Sequence, residues 1–178
     1  MVVFGSGGHT TEMLLMLEKL KVEKYKRVEF VLGHSDTWSL TKITDFYSQR
    51  KTLDIKKVTI HRIFRAREVK QSYLTSIGTT IVGFFHAIYI AARSMPDMIV
   101  TNGPGTAVPL CYAAFFINRT MHLNPYAKQI YIESFCRVKT LSLSGKLLKP
   151  IVDKFVVQWH SLKSKSKYFT HLNETKLV

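Results

Sequence analysis

The chain has 178 residues, of which 46% are hydrophobic, 12% aromatic and 21% charged, a composition that indicates a folded protein and excludes a disordered one. This length supports one well-developed core and falls short of the usual two-domain enzyme. With 26 Lys and Arg against 12 Asp and Glu, the formal charge is +14. An anionic partner is therefore expected, but the basic residues are scattered among apolar segments, which disfavours a polybasic tail for nucleic acid.

The first predicted strand, residues 2–4, runs directly into a glycine-rich loop at residues 5–10. Glycines let the backbone turn sharply and bring its N–H groups close to an anion, and the dipole of a following helix adds to the attraction. The loop has Thr10 where the dinucleotide fingerprint has a third glycine, and it lacks the Gly-Lys-Ser/Thr of a P-loop. It predicts an anion-binding turn of another type, with a tight turn that binds no ligand as the alternative. The helix that follows carries its apolar face on Met13, Leu14, Leu17 and Leu20.

His9 falls near the N-cap of this helix, with Glu12 three residues later. The spacing allows an arrangement like a capping box, although histidine is not a favoured cap. A helix N-terminus disfavours the charged imidazolium, so a neutral imidazole could accept a proton from an attacking hydroxyl. His9 is therefore the candidate general base. A structural or phosphate-contacting histidine is the alternative.

Short β-branched runs then alternate with helical patterns, which predicts βαβ units and a parallel sheet covered by helices on both faces. About six strands are expected, at residues 2–4, 28–32, 58–63, 98–100, 130–132 and 155–157. The second helix has Ser35 or Asp36 as its N-cap, and its apolar positions are Trp38, Ile43 and Phe46. The fold class is therefore α/β, a single Rossmann-like domain over residues 1–178.

The segment at residues 72–94 is strongly apolar, but its apolar stretch is shorter than the roughly 20 residues that a membrane span needs. One interpretation is a crossover helix that is buried between the sheet and its neighbours. The other is an interfacial helix whose surplus apolar surface, notably Phe84, Phe85, Ile88 and Tyr89, lies in a membrane interface with flanking basic residues at anionic lipid. Both can hold for different faces of one helix.

A second glycine-rich loop, Asn102-Gly103-Pro104-Gly105, follows the strand at residues 98–100 and precedes a predicted helix at residues 107–117. Ligands of open α/β sheets gather at the carboxyl ends of the strands, so this loop, the first one and Glu133 should form one cleft. Glu133 either contacts the ligand or caps a loop. Arg137 is either a phosphate contact or a solvated charge.

Cys111 and Cys136 match no zinc or redox spacing, so reduced thiols are expected. No cluster of residues calls for a metal ion or a cofactor.

Six groups of motifs in chain order carry a resemblance to a known family: Ser6-Gly7-Gly8-His9-Thr10; Arg67-Glu68-Val69 with Gln71-Ser72; Asn102-Gly103-Pro104-Gly105-Thr106; Tyr131-Ile132-Glu133-Ser134 with Cys136-Arg137-Val138; Leu141-Ser142-Leu143-Ser144-Gly145-Lys146; and Phe155-x-Val157-Gln158-Trp159. Through them the chain resembles the acceptor-side, membrane-docking subunit of the two-subunit N-acetylglucosaminyltransferase that extends dolichol-linked sugar. This family is similar to the N-terminal half of a GT-B glycosyltransferase of the bacterial MurG type.

The resemblance implies that a separate subunit carries the UDP-N-acetylglucosamine site and is recruited by this chain to the cytosolic face of the endoplasmic reticulum. Together they would add the second N-acetylglucosamine, in β-1,4 linkage, to N-acetylglucosaminyl-diphospho-dolichol, and this chain alone would be inactive. The residues implied at the acceptor diphosphate are Ser6, Gly7, Gly8, Thr10, Asn102, Gly103, Gly105, Glu133 and Arg137. The segment at residues 159–178, with Trp159, Leu177 and Val178, would bind the partner subunit.

Family members commonly carry a hydrophobic anchor before the first strand, whereas Met1 directly precedes that strand here. The alternatives are an anchor that is missing from this sequence and peripheral docking through the segment at residues 72–94. Two other functions stay open. A stand-alone nucleotide or nucleotide-sugar enzyme would use the same loop and bind UDP or NAD by itself. A basic membrane-surface or nucleic-acid module would show steep salt dependence, but the chain lacks the aromatic strand motifs of RNA-binding folds.

Overall fold

The computed structural model describes residues 1–18, 25–50, 58–64 and 73–172, with residues 73–80 described by their backbone alone. Across these residues, seven strands form one sheet in the order β3-β2-β1-β4-β5-β6-β7. All neighbouring strands are parallel. The strands are β1 (Val2–Val3), β2 (Glu29–Gly33), β3 (Thr59–Ile63), β4 (Met98–Thr101), β5 (Lys128–Ile132), β6 (Lys154–Val157) and β7 (Phe169–His171).

Helices connect the strands because parallel neighbours need a crossover to bring the chain back to the same end of the sheet. They are α1 (Gly8–Leu17), α2 (Thr37–Arg50), α3 (Tyr73–Ser94), α4 (Ala107–Phe115), α5 (Leu143–Leu148) and α6 (His160–Lys163). A π-helical turn, Phe116–Thr120, extends α4.

The core consists of two apolar layers, one on each face of the sheet. Successive strand residues point to opposite faces, so Phe30 packs with Met13 of α1 and Tyr47 of α2, while its neighbour Val31 belongs to the layer that contains Leu110 of α4. Strands covered on both faces are continuously apolar, and all five residues of β2 are buried. The prediction of a parallel sheet with helices on both faces is confirmed.

The strand order places a topological switch point between β1 and β4. From β1 the chain moves outward to β2 and β3, and then returns through α3 to the other side of β1. As α1 and α4 pack in opposite layers, the loops that leave β1 and β4 diverge and open a crevice at the carboxyl ends of the strands.

The structure corrects several predicted elements. The strand β7 was missed, because three residues carry too little apolar pattern to stand out. The predicted helix at residues 107–117 ends as an α-helix at Phe115 and continues as the π-helical turn. Trp38 was predicted to be an apolar position of α2, but its side chain is 78% exposed. Leu20, predicted on the apolar face of α1, lies outside the described residues, as do Leu177 and Val178.

Both interpretations of the segment at residues 72–94 find support in α3. One face of the helix is buried in the core through Ala87, Ile90 and Ala91. The other face exposes large apolar side chains, namely Ile81, Val82, Phe84, Phe85 and Tyr89, which we call the α3 outer face. Among the described residues, no helix combines the length and the apolar character needed to cross a membrane.

Candidate functional site

A cleft of about 210 Å³ opens at the switch point, between the loop that joins β1 to α1 and the loop that joins β4 to α4. Both glycine-rich loops predicted from the sequence therefore lie in one cleft. The lining residues are Phe4, Gly5, Ser6, His9, Gly33, Asp36, Gly103, Pro104, Gly105 and Thr106.

Three helices begin at this cleft. The first turn of α2 is capped by Asp36, whereas α1 and α4 have no side chain that caps the first turn. The N-cap of α1 is Gly7, whose φ of 64° is a conformation that L side chains rarely adopt. The N-cap of α4 is Thr106, whose hydroxyl makes no capping hydrogen bond. The first N–H groups of a helix have no intrahelical acceptor and carry the positive end of its dipole. In α4 the N–H groups of Ala107 and Val108 donate to the carbonyls of Pro104 and Gly105 at 2.9 Å and 3.3 Å, so α4 contributes mainly its dipole. The cleft therefore favours an anion such as a phosphate group.

Gly103 lets the second loop pass close to the sheet. Its φ of 96° favours glycine, and a Cβ atom there would lie 2.9 Å from the hydroxyl oxygen of Tyr131. Tyr131 is fully buried, and its hydroxyl pairs with Ser142 Oγ at 2.9 Å. Burial raises the pKa of Tyr131 well above its usual range, so the hydroxyl keeps its proton and remains a neutral support beneath the loop.

His9 lies in the second position of α1 and lines the cleft, with 36% of its side chain exposed. Its backbone carbonyl accepts a hydrogen bond from Asn102 Nδ2 at 2.7 Å, so the two glycine-rich loops are joined directly. Its ring Nδ1 is buried. The predicted general base thus has one ring edge at the cleft and the other against the protein.

Three residues predicted at the diphosphate have side chains that lie beneath the cleft surface. Thr10, Asn102 and Glu133 are each 0% exposed. The Thr10 hydroxyl donates to the carbonyl of Gly5 and pairs with Ser39 Oγ at 2.6 Å. The side chains of these three residues are covered and already hydrogen-bonded within the protein. They therefore do not contact a diphosphate in the cleft, which corrects the prediction for them.

Glu133 serves as the anchor of the loop before α5, which corresponds to the capping alternative. Its Oε2 accepts hydrogen bonds from Ser142 N at 3.0 Å and from Ser142 Oγ at 3.2 Å, while its Oε1 accepts one from Ser134 N at 3.0 Å. Ser142 in turn caps α5 by accepting from Gly145 N. The Glu133 carboxylate therefore stabilises the loop that leads into α5.

Arg137 and Trp159 lie at the carboxyl ends of β5 and β6. Arg137 is exposed, as a side chain that reaches a ligand or water must be. Trp159 is half-buried, stacks on Phe135 with ring centroids 4.8 Å apart, and donates from Nε1 to the Phe135 carbonyl at 2.7 Å. The two rings form an aromatic pair beyond the carboxyl ends of β5 and β6, and 56% of Phe135 is exposed.

Within the described parts of the chain, no three side chains of His, Cys, Asp or Glu converge as ligands for a metal ion. Cys111 is buried, Cys136 is exposed, and both are free thiols.

The model of the family described as "Oligosaccharide biosynthesis protein Alg14 like" matches residues 1–173. The chain belongs to this family. Two relatives carry the name UDP-N-acetylglucosamine transferase subunit ALG14. The protein of Yarrowia lipolytica is 47% identical over 165 residues, covering 93% of this chain and 75% of its own length. The protein of Homo sapiens is 41% identical over 171 residues, covering 93% and 77%. The family resemblance predicted from the motifs is confirmed.

The Alg14-family fold is also similar to a solved bacterial structure. MurG of Acinetobacter baumannii superposes with a TM-score of 0.62 over 95% of this chain, at 13% identity. At that identity the likeness concerns the fold alone, and it confirms the predicted Rossmann-like domain of the MurG type. The chain spans 41% of the MurG chain.

Sequence reasoning missed the role of Glu12 in this Alg14-family site. The helix begins at Gly8 with Gly7 as its N-cap, so the proposed capping-box arrangement of His9 and Glu12 is wrong. Glu12 instead reaches across the cleft floor, where its Oε1 accepts from Phe135 N at 2.5 Å and from Gln158 Nε2 at 2.6 Å. No local pattern reveals contacts to residues more than 120 positions away. By contrast, Asp36 caps α2 as predicted, because its Oδ1 accepts from Ser39 N at 3.0 Å.

Proposed function

We propose that this chain is the acceptor-binding, membrane-docking subunit of a two-chain UDP-N-acetylglucosamine transferase. In this role it holds N-acetylglucosaminyl-diphospho-dolichol at the cytosolic face of the endoplasmic reticulum and recruits the subunit that carries the sugar nucleotide. The pair adds the second N-acetylglucosamine in β-1,4 linkage. The family membership and the names of the relatives support the subunit role.

The observation that carries the proposal is the meeting of two uncapped helix N-termini with His9 in one cleft. The exposed backbone of Ser6, Gly7, Gly8 and Gly105 offers N–H groups to the two phosphates without desolvating a side chain. Gly103 lets the second loop pass close to Tyr131. Arg137 adds a positive charge at the carboxyl end of β5, the strand next to β4.

The size of the cleft supports a site that is completed in trans. Its volume of about 210 Å³ is below the roughly 300 Å³ at the lower end of complete small-molecule sites. The chain also aligns with only 41% of MurG. A second chain that closes over the cleft would bring the sugar nucleotide to the acceptor and exclude water.

The reaction we propose is an inverting transfer. The 4-hydroxyl oxygen of the acceptor sugar attacks the anomeric carbon of UDP-N-acetylglucosamine, the bond from that carbon to the diphosphate breaks, and UDP leaves with the electron pair. His9 takes the hydroxyl proton on Nε2. General-base catalysis of this kind contributes roughly 100-fold to 10,000-fold to a rate.

Substitution at His9 tests this role in the reconstituted pair. His9→Ala should lower kcat by roughly 100-fold or more, whereas His122→Asn should leave it unchanged. His122 is exposed in the loop before β5, and asparagine tolerates its positive φ of 57°. Near-normal turnover of His9→Ala would remove His9 from the role of base.

The α3 outer face supports peripheral docking to a membrane. Phe85 is 67% exposed and Tyr89 is 59% exposed, and apolar side chains on one face of a helix insert into the boundary between headgroups and acyl chains. Cations such as Arg93 at the end of α3, within a chain of charge +14, would meet anionic headgroups.

Flotation with anionic liposomes at low salt tests the docking. The wild-type chain should float, and Phe85→Ser should reduce the floating fraction. Leu15→Ser is the matched control, because Leu15 is a 56% exposed apolar residue on α1, away from the α3 outer face. Failure of the wild-type chain to float would refute peripheral docking.

We also propose that residues 159–178 contact the partner subunit. Phe135, which is 56% exposed and stacks on the half-buried Trp159, supports a docking surface at the start of this segment, while Leu177 and Val178 lie outside the described residues. Trp159→Ala should weaken co-purification of the two subunits, and unchanged complex formation would contradict the assignment.

A further inference from the structure

We propose that Glu12 is a positioning residue that holds His9 in the tautomer with its proton on Nδ1 and leaves Nε2 free to accept a proton in the cleft. This inference deepens the proposed function and rests on His9 acting as the base. The argument rests on three contacts of the Glu12 carboxylate, those with Phe135 N, Gln158 Nε2 and His9 Nδ1.

One oxygen of Glu12 is fixed by donors from the segments that follow β5 and β6. Its Oε1 accepts from the backbone N–H of Phe135 after β5 at 2.5 Å and from Nε2 of Gln158 after β6 at 2.6 Å. The amide of Gln158 is itself held, because Nε2 also donates to the Glu133 carbonyl at 2.9 Å. The carboxylate therefore has a set orientation before any ligand binds.

The other oxygen faces the His9 ring and also accepts two longer hydrogen bonds, from Asn102 Nδ2 at 3.4 Å and from Ser134 Oγ at 3.5 Å. Glu12 Oε2 lies 3.7 Å from His9 Nδ1, one helical turn away. Nδ1 is covered and makes no hydrogen bond within the described residues. A shift of several tenths of an ångström would close this contact, and catalytic hydrogen bonds are commonly long before substrate is bound.

The charge state of Glu12 agrees with this geometry. Burial pushes the pKa of Glu12 upward, but the nearby His9 ring and the hydrogen bonds from Phe135 and Gln158 outweigh that effect and hold the pKa below its ordinary value. At neutral pH the group is therefore a carboxylate, which can only accept a hydrogen bond. An acceptor facing Nδ1 requires the proton to be there, and the exposed ring edge then carries an unprotonated Nε2.

The substitution Glu12→Gln separates positioning from folding. We expect the amide oxygen at the Oε1 position, because the donors there lie at 2.5 Å and 2.6 Å, whereas the donors at the Oε2 position, Asn102 Nδ2 and Ser134 Oγ, lie at 3.4 Å and 3.5 Å. The amide N–H₂ then faces His9 Nδ1 and reverses the preference to the tautomer with its proton on Nε2. Glu18→Gln is the matched control, since Glu18 follows α1, is exposed, and pairs with Arg50.

Two measurements test the proposal. The ¹⁵N resonances of the His9 ring in the free full-length chain, assigned with a His9→Gln variant, report the tautomer without any substrate. We expect protonated Nδ1 in the wild type and in Glu18→Gln, and a shift toward protonated Nε2 in Glu12→Gln. In the reconstituted pair, Glu12→Gln should lower kcat by roughly 100-fold or more with little change in the acceptor KM.

The outcomes distinguish this inference from the function on which it rests. A wild-type ring with its proton on Nε2, or a tautomer that does not respond to Glu12→Gln, overturns the role of Glu12 even if the pair transfers sugar. The wild-type spectrum decides this point even if Glu12→Gln does not fold. Absence of transfer by the wild-type pair, with the tautomer as expected, would instead refute the proposed function.

Discussion

Gly145→Ala is expected to destabilise the chain, because Glu133 occupies the space where the new methyl group would lie. A Cβ atom on Gly145 would approach Glu133 Oε2 to less than 3.0 Å, with Ser142 Oγ at 3.1 Å and Phe155 Cζ at 3.3 Å on its other sides. The carboxylate oxygen would have to retreat by more than 0.4 Å, the difference between 3.0 Å and the 3.4 Å at which ordinary contact begins.

The size of the effect follows from the hydrogen bonds that this retreat disturbs. Oε2 accepts two bonds from Ser142, at 3.0 Å and 3.2 Å, and loss of one bond to a carboxylate costs about 1.5–3 kcal/mol. Alanine stabilises a helix interior by roughly 0.5–1 kcal/mol relative to glycine, which offsets part of this cost. The net loss in the free energy of unfolding is therefore about 1.5 kcal/mol, which lowers Tm by roughly 3–6 °C in a chain of this length.

Chemical and thermal unfolding measure this loss. Gly8→Ala is the control, because nothing lies within 4 Å of its added Cβ, and it should change the free energy of unfolding by about 1 kcal/mol or less. In a Glu133→Ala background the Gly145→Ala penalty should largely disappear, since the carboxylate is gone. If Gly145→Ala alone is as stable as the wild type, Glu133 does not anchor the loop before α5.

Further predictions concern the sheet and the loops. Burial pushes the pKa of Glu29 up, but the close approach of His61 at 3.4 Å, the Ser94 hydroxyl and the charge of Arg27 outweigh it and hold the pKa at about 2. The ionised Glu29 carboxylate stabilises the fold fully above pH 4.5, its ordinary pKa, and this stabilisation is lost as the pH falls toward 2. The difference in the free energy of unfolding between wild type and Glu29→Gln should therefore narrow across that range in acid titrations. Thr10→Val should cost about 1 kcal/mol in urea unfolding, because the buried Gly5 carbonyl loses the Thr10 donor and keeps only the longer hydrogen bond from Ser39 Oγ at 3.2 Å; an unchanged midpoint would contradict this. Gly103→Ala should cost about 1–2 kcal/mol from its positive φ and reduce transfer by the reconstituted pair, and full activity would show that the loop tolerates a side chain.

The sequence was sufficient to predict the fold class and the meeting of the two glycine loops, because both depend on local signals. Glycines between a strand and a helix mark a tight turn, and parallel strands bring such turns to one edge of the sheet. The short strand β7 carries no comparable signal: its packing depends on the neighbouring β6, with which it pairs in register.

Which site residues face the ligand could not be predicted from the same motifs. Thr10 and Ser6 stand four positions apart in one loop, yet Ser6 is exposed and Thr10 is covered by α2 through Ser39. The outcome depends on how α1 packs against α2, which no local pattern encodes. Likewise, Glu12 meets Gln158 across 146 positions of sequence, a contact created only by the sheet order.

The central claim is that this chain supplies one wall of a transferase site and that a second subunit supplies the other. The most direct test measures transfer from UDP-N-acetylglucosamine to a synthetic lipid-diphosphate N-acetylglucosamine, with the chain alone and with the sugar-nucleotide-binding subunit added, together with calorimetry of UDP and the chain alone. We expect no transfer and no UDP binding by the chain alone, and transfer by the pair. Full turnover by the chain alone, or no transfer by an assembled pair, would contradict the account.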